Sequence, residues 1–134
     1  MRGRNRQLRL DSGTIAPLVA GYLALLVMVF LMASNVISTQ VFASRLQGLT
    51  DLAVVYAHER SLRVGKPQTT EFREHLAHYL SNAPTAKAMA IEIVNLKISG
   101  SRSTLELCAV FEFPLAPGNG VICRESSAES FLLP

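Results

Sequence analysis

Between Asp11 and Arg45 the chain carries no ionisable side chain except the phenol of Tyr22, and the run from Ile15 to Ala33 (IAPLVAGYLALLVMVFLMA) is apolar almost throughout. About 20 such residues in a helix, rising roughly 1.5 Å each, cross a hydrocarbon core of roughly 30 Å. The stretch predicts one transmembrane helix over 14–37. A chain of 134 residues then has room for that anchor and one small domain, not for two separate cores. Its 49% apolar content rules out wholesale disorder, and 17% charged residues is well under the roughly 25% of an average soluble domain.

The formal charge of +3 is confined to one end. Arg2, Arg4, Arg6 and Arg9, less Asp11, supply the whole excess, and from Ser12 onward nine Lys/Arg balance nine Asp/Glu. A nucleic-acid-binding domain, which needs a basic surface, is excluded on that distribution. Four arginines before the span against Arg45 after it place the N-terminus in the cytoplasm by the positive-inside rule, with residues 1–13 as a basic cytoplasmic segment and the rest of the chain outside. The alternative is a secreted domain released after signal cleavage, for which Val41-Phe42-Ala43 is a tolerable site. Signal-peptide apolar regions, however, run only about 7–15 residues.

Pro17 suits a first helical turn, and Ser12 or Thr14 is placed to cap it. Ala16, Ala20 and Ala24 recur every fourth residue, with Pro17 and Gly21 on a neighbouring stripe. Small residues at that spacing let a second helix approach closely, so these five form the candidate packing face within the membrane.

Nothing obliges the helix to stop at the membrane surface, and an extension over 38–65 is expected. Phe42, Leu46, Leu49, Ala53 and Tyr56 follow spacings of four, three, four and three, which gathers them into one apolar seam that needs a cover. The cover is the chain's own sheet or a partner, and the seam is read as a partner surface. His58 stands apart as a surface residue near the helix end, and Gly65 followed by Pro67 is the stop signal. Residues 66–134 form a small α+β domain. A second helix is predicted from about Thr70 to Ser81, capped by Thr69 or Thr70, with Phe72, Leu76, Tyr79 and Leu80 on its buried face. Asn82-Ala83-Pro84 ends it.

Strand patterns fill the remainder. Met89 to Ile98 is rich in Ile and Val, with a change of phase at Ile93-Val94 that predicts a bulge, and Ser99-Gly100-Ser101 is the turn after it. Leu105, Leu107, Ala109, Phe111 and Phe113 alternate with more polar positions, the period of a strand with one buried face. The segment Pro114 to Gly120 is a loop, Val121 to Glu125 a short returning strand, and Ser126 onward carries no assignable pattern. Pairing Cys108 with Cys123 sets Val110 opposite Val121 and leaves the Pro/Gly segment as the loop, so strand pattern and bridge agree. Two reduced buried cysteines are the alternative. An outside location favours the disulfide.

The Arg-rich start, the run Asp11-Ser12-Gly13-Thr14-Ile15-Ala16-Pro17-Leu18-Val19-Ala20-Gly21, the single span, and Gln47-Gly48-Leu49-Thr50-Asp51-Leu52-Ala53 together resemble the N-terminal portion of TadE/TadG-like proteins of the tight-adherence (Flp) pilus system, particularly actinobacterial forms. The likeness covers about the first 60 residues. It implies a minor pilin or pilus-assembly accessory protein of a bacterial plasma membrane, with other pilus or secretion-system subunits as partners in a homo- or hetero-oligomer, and no enzymatic activity. Asp51 matches the family's acidic position and is the candidate partner contact. At the fifth residue after Gly13, where members cut by the prepilin peptidase carry Glu, this chain has Leu18, so the likeness does not extend to that processing.

Reactive motifs are few. The sequence has no G-x-S-x-G, no H-E-x-x-H, no phosphate-binding glycine loop and no C-x-x-C. Glu71, His75 and His78 share the polar face of the second helix at spacings of four and three, an arrangement that two imidazoles and a carboxylate can use on a metal. Without a further ligand cluster the reading assigns neither metal nor cofactor. A membrane-tethered ligand-sensing or substrate-binding module is the alternative to the pilus role, and it needs a preformed pocket. The expected fold class is α+β: an N-terminal transmembrane helix extended beyond the membrane, a short second helix and a small antiparallel sheet, pilin-like in outline.

Overall fold

A computed structural model describes residues 12–63, 66–115 and 117–130. The basic segment with its four arginines, the stop signal at Gly65 and the last four residues lie outside that set, as do the side chains of Ser12 and Thr14 proposed as caps.

One helix, α1 (Ser12–Ser61, 50 residues), carries both the apolar run and the seam above it. With no Pro after Pro17 and hydroxyl side chains turned back onto the helix, nothing interrupts the ladder. Pro17 lies inside α1 rather than in its first turn, because the helix already starts at Ser12. The C-terminal end also comes earlier than Gly65 and Pro67 suggest. Leu62–Arg63 (β1) turns back to pair with Lys66–Pro67 (β2), so the extension stops at Ser61.

Helix α2 (Thr69–Asn82) follows, and its N-cap is Gln68 with no side-chain cap hydrogen bond, not Thr69 or Thr70. Its C-cap is Ala83, as the Asn82-Ala83-Pro84 signal predicts, but Pro84 then opens one further turn, α3 (Pro84–Lys87). Phe72 and Leu76 are buried, with Tyr79 and Leu80 half-buried against the same core.

The sheet has the order β3-β4-β5, all antiparallel: β3 (Ile91–Ser99), β4 (Arg102–Glu112) and β5 (Asn119–Glu129). The β3–β4 register shifts between Ile93 and Asn95, where the phase change in the sequence lies. Gly100 adopts φ +62° in the tight turn joining them, a conformation glycine reaches without a steric penalty. The returning strand is longer than Val121–Glu125. It runs to Glu129, because β4 extends back to Arg102 and offers a ladder partner to every residue of β5.

Both helices cover one face of the sheet. Leu46, Ala53, Val54 and Ala57 of α1, Phe72 and Leu76 of α2, and Leu105, Leu107 and Ala109 of β4 form the core. Strand β4 runs opposite to α1 and alongside it: Phe42 stacks on Phe111 at 4.9 Å, and His58 meets Ser103 at 2.9 Å. Between those two contacts the helix climbs about 24 Å at roughly 1.5 Å per residue, and the strand covers about 26 Å at roughly 3.3 Å per residue. The two axes are therefore nearly parallel. The fold is α+β as expected, a long apolar N-terminal helix with short helices and small antiparallel sheets.

Candidate functional site

The first half of α1 has no cover among the described residues. Leu18 is 73% exposed and Phe30 70%, and the side chains from Ile15 to Ala33 are exposed throughout. A rod of that length and apolarity is sufficient to span a membrane. Ala16, Pro17, Ala20, Gly21 and Ala24 lie on it, all exposed, and a Cβ added at Gly21 would meet nothing within 4 Å. Just above, Ser34 donates to the Phe30 carbonyl at 2.9 Å, Ser38 to that of Ser34 at 2.8 Å and Thr39 to that of Asn35 at 2.9 Å. These three hydroxyls are satisfied by the helix itself, whereas Asn35 Oδ1 in the same stretch is buried with no hydrogen-bond partner among the described residues.

The seam has a different fate from the one assigned by sequence. Leu46 and Ala53 are fully buried, Leu49 is 4% exposed, Phe42 packs on Phe111, and Tyr56 packs on Tyr79 at 5.1 Å with Arg60 above its ring. The chain's own sheet and α2 supply the apolar cover, so Leu46, Leu49 and Ala53 are buried in the chain's own core and Phe42 and Tyr56 are half-buried at its edge, rather than the five forming an open partner surface. What α1 leaves exposed above the span is the opposite side, including Gly48, Asp51, Leu52 and Val55. Asp51 accepts a hydrogen bond from Gln47 Nε2 at 2.7 Å and borders an open cleft of about 420 Å³ shared with Gln40, Ala43, Ser44, Gly48 and Arg124.

Cys108 and Cys123 are bonded across directly paired positions of β4 and β5. They lie on the face of the sheet turned away from the helices, among Glu92, Glu106 and Glu125. Glu106 and Glu125 are directly opposed like charges, which weakens a strand pair slightly. Glu106 and the two sulfurs are close enough to share an ion, but both sulfurs are committed to the disulfide. At the sheet's upper end Arg102 closes an ion pair with Glu129 at 2.7 Å. Glu71, His75 and His78 are not drawn together: Arg63 takes the Glu71 carboxylate, His78 faces Asn82, and the three do not form a ligand cluster among the described residues.

His58, read from sequence as a surface residue, is 3% exposed. Its Nδ1 is 2.9 Å from Ser103 Oγ and its Nε2 2.7 Å from Ser130 Oγ. In the neutral ring one nitrogen donates and the other accepts, and two hydroxyls suit either tautomer. Desolvation by burial lowers the His58 pKa from its ordinary value, and the neighbouring Glu59 carboxylate opposes that shift more weakly. A serine beside an imidazole is also the start of a nucleophilic dyad. Here the second ring contact is an uncharged hydroxyl rather than the carboxylate that would stabilise an imidazolium, so the cluster works as a buried clasp. It ties the upper end of α1 to the beginning of β4 and the end of β5. One sequence signal pointed to it: extending the inward alternation of β4 backward from Leu105 puts Ser103 on the core face, where a hydroxyl needs a partner.

The chain matches no known protein family, no curated protein and no solved structure.

Proposed function

We propose that this chain is a non-catalytic, single-pass subunit of a bacterial envelope assembly of the tight-adherence pilus type, a minor pilin or assembly accessory protein. Its N-terminus is cytoplasmic and its disulfide-bonded head lies outside. One observation carries the reading: a single uninterrupted helix whose lower half is bare and apolar and whose upper half is the spine of an antiparallel-sheet head. The arginines preceding the span support the orientation, and a cross-strand disulfide suits an oxidising compartment. Retention of the anchor is supported at Val41-Phe42-Ala43, which lies mid-helix with Ala43 buried and Phe42 stacked on the head. Cleavage there would strip the cover from Phe111. A ligand-binding role draws less support, since the clefts of about 320–430 Å³ along α1 and the sheet are open and lined by scattered groups rather than converging polar ones.

The test is genetic and biochemical together. In a bacterium that assembles such pili, deleting the chain is expected to abolish surface fibres. Re-expression with Ala20→Phe and Ala24→Phe, which leaves the head untouched, is expected to restore neither the fibres nor co-purification with pilus subunits. Fibres that persist at normal number after deletion refute the role.

A further inference from the structure

We propose that the β4–β5 hairpin loop is a second membrane contact, seated in the headgroup layer of the leaflet from which α1 emerges. The inference rests on the reading of Ile15 to Ala33 as the membrane span.

Height supplies the first argument. The apolar run ends at Ala33, and the head begins where Phe42 meets Phe111. Those nine helical residues rise about 13 Å. Headgroups add only about 5–7 Å to each side of the hydrocarbon core, which leaves a gap beneath the body of the head. Strand β4 runs antiparallel to α1, so continuing past Phe111 it travels back down toward the membrane. Phe113 stacks edge-on against Phe111 at 5.4 Å, and its N–H closes the hairpin on the Gly118 carbonyl at 3.3 Å. Leu115 stands beyond that closure. Four residues past Phe111 is up to about 13 Å of descent at roughly 3.3 Å each. The chain bends at Pro114 and Leu115, so the descent is less than that full extension; at half of it Leu115 reaches about the level of Ile37, against the headgroup layer.

Chemistry supplies the second. From Phe113 to Cys123 there is no charged side chain, whereas the strands above alternate with Glu and Arg. At the loop itself Leu115 is 51% exposed and Phe113 37%. Pro114 and Pro117 have no N–H, which removes two donors that would otherwise need water. The charge bordering the loop is Glu112, one residue past Phe111; Arg124 pairs with Leu107 and stands well above it, beside the Asp51 cleft. An uncharged loop with Leu115 exposed, and with the Asn119 amide as its one polar side chain among the described residues, fits a lipid headgroup surface better than a protein partner approaching from the side. Because the loop stands on one side of the rod, seating it selects the direction in which α1 tilts and hence the face the head presents to its neighbours.

The test uses the full chain, with Cys108 and Cys123 bonded, reconstituted in vesicles of phosphatidylcholine and phosphatidylglycerol. A bimane label is attached in turn to Leu115→Cys at the loop, Leu25→Cys in mid-span and Ser99→Cys at the opposite end of the sheet. Each is challenged with shallow doxyl-labelled lipid and with aqueous iodide. Residue 115 is expected to lose several-fold more emission to the doxyl lipid than residue 99, and to be shielded from iodide. If residue 25 is quenched by lipid while residue 115 is quenched only by iodide, the anchor stands and the loop contact is wrong. A residue 115 shielded from both quenchers is covered by protein, which also overturns the proposal. If residue 25 itself escapes lipid quenching, the span reading fails and takes the loop contact with it.

Discussion

Replacing His58 with Leu removes the clasp between α1 and the sheet without leaving a void in the core. Ser103 is fully buried and loses its ring partner, whereas Ser130 is half-buried and recovers water. A buried hydroxyl left unsatisfied costs about 1–3 kcal/mol, and a lost hydrogen bond at a half-wet site about 1 kcal/mol, so the variant is expected to be about 2–4 kcal/mol less stable at neutral pH. The same residue makes stability depend on pH. With the folded-state pKa lowered by burial, the unfolded chain takes up a proton at His58 before the folded chain does as the medium is acidified. Stability at this site is therefore complete above the ordinary histidine value of about 6.5 and declines as pH falls below it. His58→Leu lacks that term, so the stability gap between wild type and variant is expected to narrow from pH 7.5 to pH 5.

Urea titration of the full chain in detergent micelles reads this directly. Tyr56 and Tyr79 are stacked at the α1–α2 contact and the chain has no Trp, so near-ultraviolet circular dichroism follows the tertiary packing of the head. Parallel pH dependence in the two proteins would refute the argument, because it would mean that His58 titrates alike in the folded and unfolded states. A loss under 1 kcal/mol at pH 7.5 would instead show that the serine contacts are dispensable.

The seam makes an equally direct prediction. Leu46→Ala removes a fully buried side chain and is expected to cost about 2–5 kcal/mol, whereas Leu52→Ala, at a position 63% exposed on the other side of the same helix, should stay within about 0.5 kcal/mol. Equal losses in urea titrations would show that the seam is not core. Reducing the disulfide, or making Cys108→Ser with Cys123→Ser, reopens a loop spanning 15 positions and is expected to lower stability by about 3 kcal/mol, read as a reductant-dependent unfolding midpoint.

Much of this architecture is legible in one sequence because its signals are local. A charge-free apolar run, an alternating strand from Leu105, a phase slip at Ile93-Val94 and two cysteines at matching register are each legible within a short stretch of the chain. What escaped depends on partners distant in the chain. Ser126-Ser127-Ala128 has no strand preference of its own and extends because β4 lies beside it. The spacing of Leu46, Leu49 and Ala53 announces burial but not what buries them, so a partner face and an internal core look alike until α2 and the sheet are in place. His58 carries no local sign of burial, because its two hydroxyl partners lie 45 and 72 residues away.

One half of α1 is bare and apolar and the other is packed on the head, yet the chain joins them without a linker. A flexible tether would show Gly, Pro or a broken ladder between Ala33 and Phe42; instead Ser34, Ser38 and Thr39 bond back to the helix and the turn count continues unbroken. Each residue in that stretch therefore sets about 1.5 Å of height and about 100° of rotation between the span and the head. The stacked Phe42 and Phe111 at one end and the His58 clasp at the other hold the sheet along the same axis. A head mounted this way cannot reorient independently of the helix beneath it. Any surface it offers, whether the Asp51 cleft or the acidic outer face of the sheet, is presented at a height and bearing set by α1. In the proposed role, the continuous 50-residue helix is the element through which a helix–helix contact below would set an orientation above.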